Sequence, residues 1–268
     1  MSEAISLNHI LSNRRLSGDT VHFTVTPDWQ QGRTMFGGFI SALAVVAMRD
    51  SLGLDIPLRA LQTNFVGPIA AGQVRFVTRL LRQGKNVSQV HCEVWSGDDL
   101  AGLVVGVFGA ARQTQLPLRT PERKPLPKTV EECVELPFIP NITPAFIQHV
   151  QMRWASGSMP YTGQNFWHSG IHIRARDTGV SPEVLIVMLS DGPPTPCLNQ
   201  FKTPVMGSSV SWSLELPPIP QEPLDEGWFQ IDMETHAAAD GYVSQSATLW
   251  TPSGQLASLG TQVVAVYG

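Results

Sequence analysis

Phe36-Gly37-Gly38-Phe39-Ile40-Ser41-Ala42-Leu43-Ala44-Val45-Val46-Ala47-Met48-Arg49-Asp50 is the stretch on which the fold turns. From Phe39 onward it carries apolar residues on nearly every side of a helix, so the helix has no polar face to give to water and must be buried all round. Paired glycines open its first turn, where backbone N–H groups can face a ligand because no Cβ stands in the way. A second version follows: Leu185-Ile186-Val187-Met188-Leu189-Ser190-Asp191 lies over Ala44–Asp50, 141 positions on.

β-type segments follow each helix signal. After the first come Leu58–Val66, Gly72–Leu81, Val87–Trp95 and Leu100–Ala110, separated by Gly67-Pro68, Gln83-Gly84-Lys85 and Gly97-Asp98-Asp99, which reads as an antiparallel meander. After the second come Ser208–Leu216, Trp228–Ala237, Gly241–Trp250 and Leu256–Val266, with Phe146–Ala155 and His168–Arg176 as strands ahead of it. Asn86-Val87-Ser88-Gln89 can be laid on Tyr242-Val243-Ser244-Gln245 at an offset of 156, different from that of the helices, so insertions separate the matching blocks. A unit this long is a duplicated domain and not a solenoid repeat. The expected organisation is an N-terminal unit over 1–112, a linker over 113–144 crowded with prolines from Pro117 to Pro144, and a C-terminal unit over 145–268.

The 268 residues are enough to bury a sizeable core, and only 15% are charged. A net charge of −4 argues against a general nucleic-acid binder. The N-terminus lacks a basic start leading into an apolar run, and Phe39–Met48 is too short to span a bilayer, so a cytoplasmic chain with no membrane partner is expected. Cys92, Cys133 and Cys197 are odd in number and widely spaced, which indicates neither a disulfide framework nor a zinc site. His168 and His172 share a strand face but sit too far apart to chelate without further ligands, so no metal is expected.

Helix followed by strands, done twice with Phe36-Gly37-Gly38 at the first helix, resembles the double hot-dog acyl-CoA thioesterases, the thioesterase II-like family. Leu61-Gln62-Thr63-Asn64-Phe65-Val66-Gly67-Pro68 and the closing Gly254-Gln255-Leu256-Ala257-Ser258-Leu259-Gly260-Thr261-Gln262 carry that resemblance further. It implies an α+β tandem hot-dog, each half a curved antiparallel sheet wrapped around a long central helix. It implies hydrolysis of an acyl-CoA by a water held by an Asp, a Ser or Thr, and a Gln, with no cofactor. Those roles fall on Asp191, Thr235 and Gln262, with Ser244 and His236 as weaker alternatives to Thr235. The first half departs from the pattern, since Val107-Phe108-Gly109-Ala110 stands where stricter members place another Gln, and Asp50 lacks an amide partner. One competent site per chain is expected.

The residue types suit that chemistry, because thioester hydrolysis needs a positioned water, a base and donors at the developing oxyanion. Asp191 ends an apolar helix, where both the dipole and desolvation raise a carboxyl's pKa; an Asp before Gly192-Pro193-Pro194 also simply starts a turn. Thr235 shares a strand face with Phe229, Ile231, Met233 and Ala237, so its hydroxyl points to the apolar side. The Gly37-Gly38 amides could hold the oxyanion, or the glycines could serve close helix packing. Arg75, Arg79, Arg82 and Lys85, and in the second half Arg174, Arg176 and Lys202, are the cations within which coenzyme A phosphates could be met. Sheet edges left open by two fused units would be covered by a partner chain, giving a homodimer or higher homo-oligomer. The competing readings are an acyl-thioester binder without turnover and a hot-dog dehydratase, the latter disfavoured because no Asp-x-Asn-Pro-x-x-His signature occurs.

Overall fold

The computed structural model describes residues 4–119, 121–219 and 222–268. The chain runs through α1 (Leu7–Ser12), β1 (Arg15–Ser17), β2 (Thr20–Val25), a β3–β4 pair (Gln30–Gln31, Thr34–Met35), α2 (Gly37–Leu52), β5 (Leu58–Phe65), β6 (Gly72–Gln83), β7 (Val87–Ser96) and β8 (Asp99–Gly109). It continues through β9 (Val134–Glu135), β10 (Val150–Ser156), β11 (His168–Ala175), α3 (Pro182–Ser190), β12 (Met206–Glu215), β13 (Phe229–Ala239), β14 (Tyr242–Trp250) and β15 (Leu256–Tyr267).

Thirteen of these strands form one antiparallel sheet in the order β1-β2-β6-β7-β8-β5-β12-β15-β14-β13-β11-β10-β9. β6, β7 and β8 form the expected meander, but β5 does not join it beside β6. It crosses to the far side of β8 and pairs there with β12, Leu61 opposite Leu214 and Thr63 opposite Trp212. The two strand sets therefore mirror one another about the β5–β12 seam. This seam pairs the inner edges of the two halves, so the open edges of the sheet are the outer ones, which end in strands of three and two residues.

α2 is buried from Gly38 to Met48 except at Val46, as its all-round apolar sequence requires, and ends at Gly53, whose φ of +58° makes the left-handed cap that glycine adopts without strain. α3 is shorter than the long central helix expected for each half. Pro182 starts it and Asp191 caps it after nine residues, before Gly192-Pro193-Pro194, so it spans about 14 Å against about 24 Å for α2. The stretch from Phe146 is likewise not all strand. Ala145–Gln148 is a 3₁₀ turn that brings His149 round to Asp28, with Nε2 2.8 Å from Oδ2, and stacks its ring on Trp29 at 3.8 Å. The proline-rich stretch also contributes β9, paired with β10.

The sequence match of Asn86–Gln89 with Tyr242–Gln245 is one residue out of structural register. Ser88 is buried and Gln89 exposed, whereas Ser244 is exposed and Gln245 buried. The strand rows give the correct correspondence. Leu61, Gly106 and Val90 form one row in the first half, and Leu214, Gly260 and Ala247 form its counterpart. Two residues along the same face, Phe108 opposite Ser88 answers to Gln262 opposite Gln245.

Candidate active site

Asp191 follows the last residue of α3 and faces the first turn of α2. The approach is so close that a Cβ on Gly37 would sit 2.7 Å from Asp191 Oδ2, and one on Gly38 would sit 2.5 Å from the Met188 carbonyl oxygen and 3.0 Å from Asp191 Cβ. Both glycines are thus required for packing, and their packing is what brings the helix amides to the carboxyl. α2 has no side-chain N-cap, so Asp191 comes to its first turn from outside the helix. The dipoles oppose at this point: α3 disfavours the anion at its C-terminus, while α2 favours it at its N-terminus.

Burial pushes the Asp191 carboxyl up to about 7, against hydrogen bonding from Gln262 and from the Gly38 backbone N–H, which pull it down. Gln262, on the inner face of β15, donates its Nε2–H to Asp191 Oδ1 at 2.8 Å and to Ser209 Oγ at 2.8 Å. Its Oε1 accepts from Gln245 Nε2 on β14, also at 2.8 Å. A small cavity of about 10 Å³ opens beside this group, walled by Asp191, Trp212, Met233, Gln245, Gly260 and Gln262. It has room for about one water molecule.

Of the residues expected from sequence, Asp191, Gln262, Gly37 and Gly38 converge. Thr235 lies one strand pair away, opposite Gln245, with its hydroxyl buried and its backbone N–H donated to Trp167. Ser244 and His236 point outward, and His236 bonds Ser246. Gln245 and Ser209 were missed. Gln245 was findable, because the alternation that turned Thr235 inward also places Gln245 with Val243 and Leu249 on the buried face of β14. Ser209 was not, because a bulge between Ser209 and Ser211 breaks the alternation of β12 there.

The opposite end of the helix pair is closed. Arg49, at the end of α2, holds Glu183 of α3 through two bonds of 2.6 Å, stacks its guanidinium on Phe108 at 5.2 Å and donates to the Leu54 carbonyl. Glu183 also accepts the Leu58 N–H at 3.1 Å. Asp50, the counterpart of Asp191, is paired with Arg14. Among the cations considered for coenzyme A, Arg174 stacks on Trp228 and bonds Gln151, Arg176 pairs with Glu135, and Arg75 stacks on Trp95.

Comparison with known proteins decides the family. Residues 25–111 match the model of the acyl-CoA thioesterase N-terminal domain, and residues 130–266 match that of the acyl-CoA thioesterase C-terminal domain. The chain belongs to the acyl-CoA thioesterase family. This places it among thioester hydrolases. No curated protein sequence matches it significantly. Among solved structures, a conserved hot-dog protein of unknown function from Alicyclobacillus acidocaldarius superposes with a TM-score of 0.84 at 15% identity, covering 99% of each chain. The tesB protein of Mycobacterium avium subsp. paratuberculosis gives 0.80 at 15% identity, covering 98% of this chain and 100% of that one. The acyl-CoA thioesterase II TesB2 of Mycobacterium marinum gives 0.73 at 12% identity, covering 96% of each. At these identities the likeness establishes the hot-dog fold.

Proposed function

We propose that the chain is a tandem hot-dog, with units over 1–112 and 145–268 joined by 113–144, and that it hydrolyses an acyl-CoA at the Asp191 end of its helix pair. The observation that carries this reading is the Gln262–Asp191 hydrogen bond of 2.8 Å, on a carboxyl raised to about 7, beside a cavity the size of one water. A base that titrates near neutral pH is half available to accept a proton there. Asp191 takes a proton from water, whose oxygen attacks the thioester carbonyl carbon while Gln262 orients the carboxylate. Negative charge on the carbonyl oxygen is met by the first-turn amide of α2 at Gly37, while the Gly38 N–H stays on the Asp191 carboxylate. The C–S bond then breaks, and the proton on Asp191 passes to the departing thiolate. Thr235 stands one strand further out, opposite Gln245, and acts on this site through Gln245. The expected partner is the acyl-CoA pool of the cytoplasm, and any homo-oligomer would form through a sheet face, since the seam has used the inner edges.

Among the described residues no helix is long and apolar enough to cross a membrane. Thiol release from a panel of acyl-CoAs of graded chain length tests the reading. Turnover of at least one chain length, lost in Asp191→Asn, is expected. Saturable binding by calorimetry with no free acid formed would make the protein an acyl-thioester binder instead.

A further inference from the structure

Among the described residues, two polar atoms near the site are buried without a partner: the Thr235 hydroxyl oxygen and the Gln245 side-chain carbonyl oxygen. Their residues are 8% and 4% exposed and face each other as a cross-strand pair of β13 and β14. A buried carbonyl oxygen needs a donor, and a hydroxyl can donate one hydrogen while keeping its lone pairs. Gln245 has its other end committed, since Nε2 donates to Gln262 Oε1. Gln262 in turn uses both amide hydrogens, on Asp191 and on Ser209.

We infer that Gln245 is a positioning residue that fixes which way the Gln262 amide points, with Thr235 anchoring Gln245 from behind directly or through one water. The row of amides has only one consistent sense when Asp191 is ionised. A carboxylate accepts only, so the Gln262 –NH₂ must face it; Gln262 Oε1 then faces β14 and must be met by a donor, which Gln245 supplies. Gln245 Oε1 is left turned to Thr235, where the unpartnered hydroxyl stands. Ser209 is indifferent to this sense, because a hydroxyl donates or accepts. Without Gln245, Gln262 could turn its carbonyl to Asp191, which suits only the protonated acid and disables the base. Among the residues lining the cavity Asp191 is the one titratable side chain, so a change in its ionisation reports this amide directly.

The inference deepens the hydrolase reading and rests on it for its kinetic consequence, but its structural half can be read without turnover. Gln245→Met keeps length and removes both polar ends, and Gln245→Glu keeps shape while replacing the donor by an acceptor. The ¹³C carboxyl resonance of Asp191 is followed against pH in wild type and both variants, alongside kcat and KM on an acyl-CoA. The inference expects the Asp191 titration to rise by about one unit in Gln245→Met and further in Gln245→Glu, through loss of the Gln262 hydrogen bond. It also expects kcat to fall by about tenfold or more with KM little changed. If Gln245→Met does not fold, Thr235→Val decides, expected to give a smaller shift in the same direction; Gln245→Glu brings a second carboxyl to the cavity, whose like charge raises the Asp191 titration by itself, and serves only beside one of these neutral variants. Titration at the wild-type pH in the folded variants overturns the inference. A shifted titration in a protein that turns over no acyl-CoA supports the amide relay and overturns the hydrolase reading.

Discussion

At one end of the α2–α3 pair a carboxyl meets two glycines and a glutamine; at the other, an arginine from one helix grips a glutamate from the next. The same strand rows supply both ends. Gln262 and Phe108 stand two residues beyond equivalent glycines, Gln245 and Ser88 stand opposite them, Asp191 caps α3, and Asp50 lies in the last turn of α2. The difference lies in what each carboxylate finds. Asp50 meets Arg14, a full countercharge paired directly with it. Asp191 meets only amides, which are strong enough to orient it and too weak to offset its burial, and so it stays basic. The two halves offer two frames, and the proposed reaction is assigned to the one where the charge is left uncompensated.

The largest expected effect separates the two carboxylates. Asp191→Asn should cost on the order of 10³-fold in kcat, the scale on which loss of a catalytic base or oxyanion donor is felt. Asp50→Asn should leave kcat within about twofold, both measured by thiol release. The stability response should run the other way. Asp191 has a folded pKa raised above its unfolded value, so the stability linked to its proton is present below pH 3.8 and is lost as pH rises through about 7. Asp191→Asn removes that loss and should raise the melting temperature at pH 8.

Breaking the closed end should produce the converse. Glu183→Ala strands the Arg49 guanidinium and the Leu58 N–H, and should cost about 3–5 kcal/mol of stability in denaturant titration, with kcat per folded molecule unchanged. Gly38→Ala touches the active end through packing. Its methyl would meet the Met188 carbonyl at 2.5 Å and must push the helices apart, costing about 1–3 kcal/mol and lowering kcat as the α2 amides leave Asp191.

The fold was legible where burial is absolute. A helix with no charge from Gly37 to Met48 and no polar face there has only one place to be, and the strand segments followed from turn residues. What local pattern could not show was strand order: β5 alternates no differently for sitting beside β8 than beside β6, because its neighbours are chosen by the seam with β12. The apparent repeat at Ser88-Gln89 and Ser244-Gln245 misled by one residue, and one residue on a strand exchanges the faces. Asp191 and Gln262 were readable only through family resemblance. Gln245 was readable by alternation and passed over, since an amide on a buried face attracts attention only when its partner is known.

The smallest expected effect concerns the stitch between halves. Burial alone would raise the Asp28 carboxyl, but hydrogen bonds from His149 and the Ile5 N–H outweigh it and hold the pKa below the ordinary 3.8. Its contribution is therefore present above pH 3.8 and lost as pH falls through the depressed folded value. His149→Phe keeps the stack on Trp29 and removes the bond to Asp28, and should cost about 1 kcal/mol at pH 7 with no change in the pH dependence of turnover.

The pH–rate profile of acyl-CoA hydrolysis tests most directly whether one end of the helix pair carries the reaction. With Asp191 as the base, kcat/KM should climb tenfold per pH unit below about 7 and level off above it, unchanged in Asp50→Asn. The limb and nearly all of the rate should vanish in Asp191→Asn. A limb that survives in Asp191→Asn, or that disappears in Asp50→Asn instead, would contradict the account.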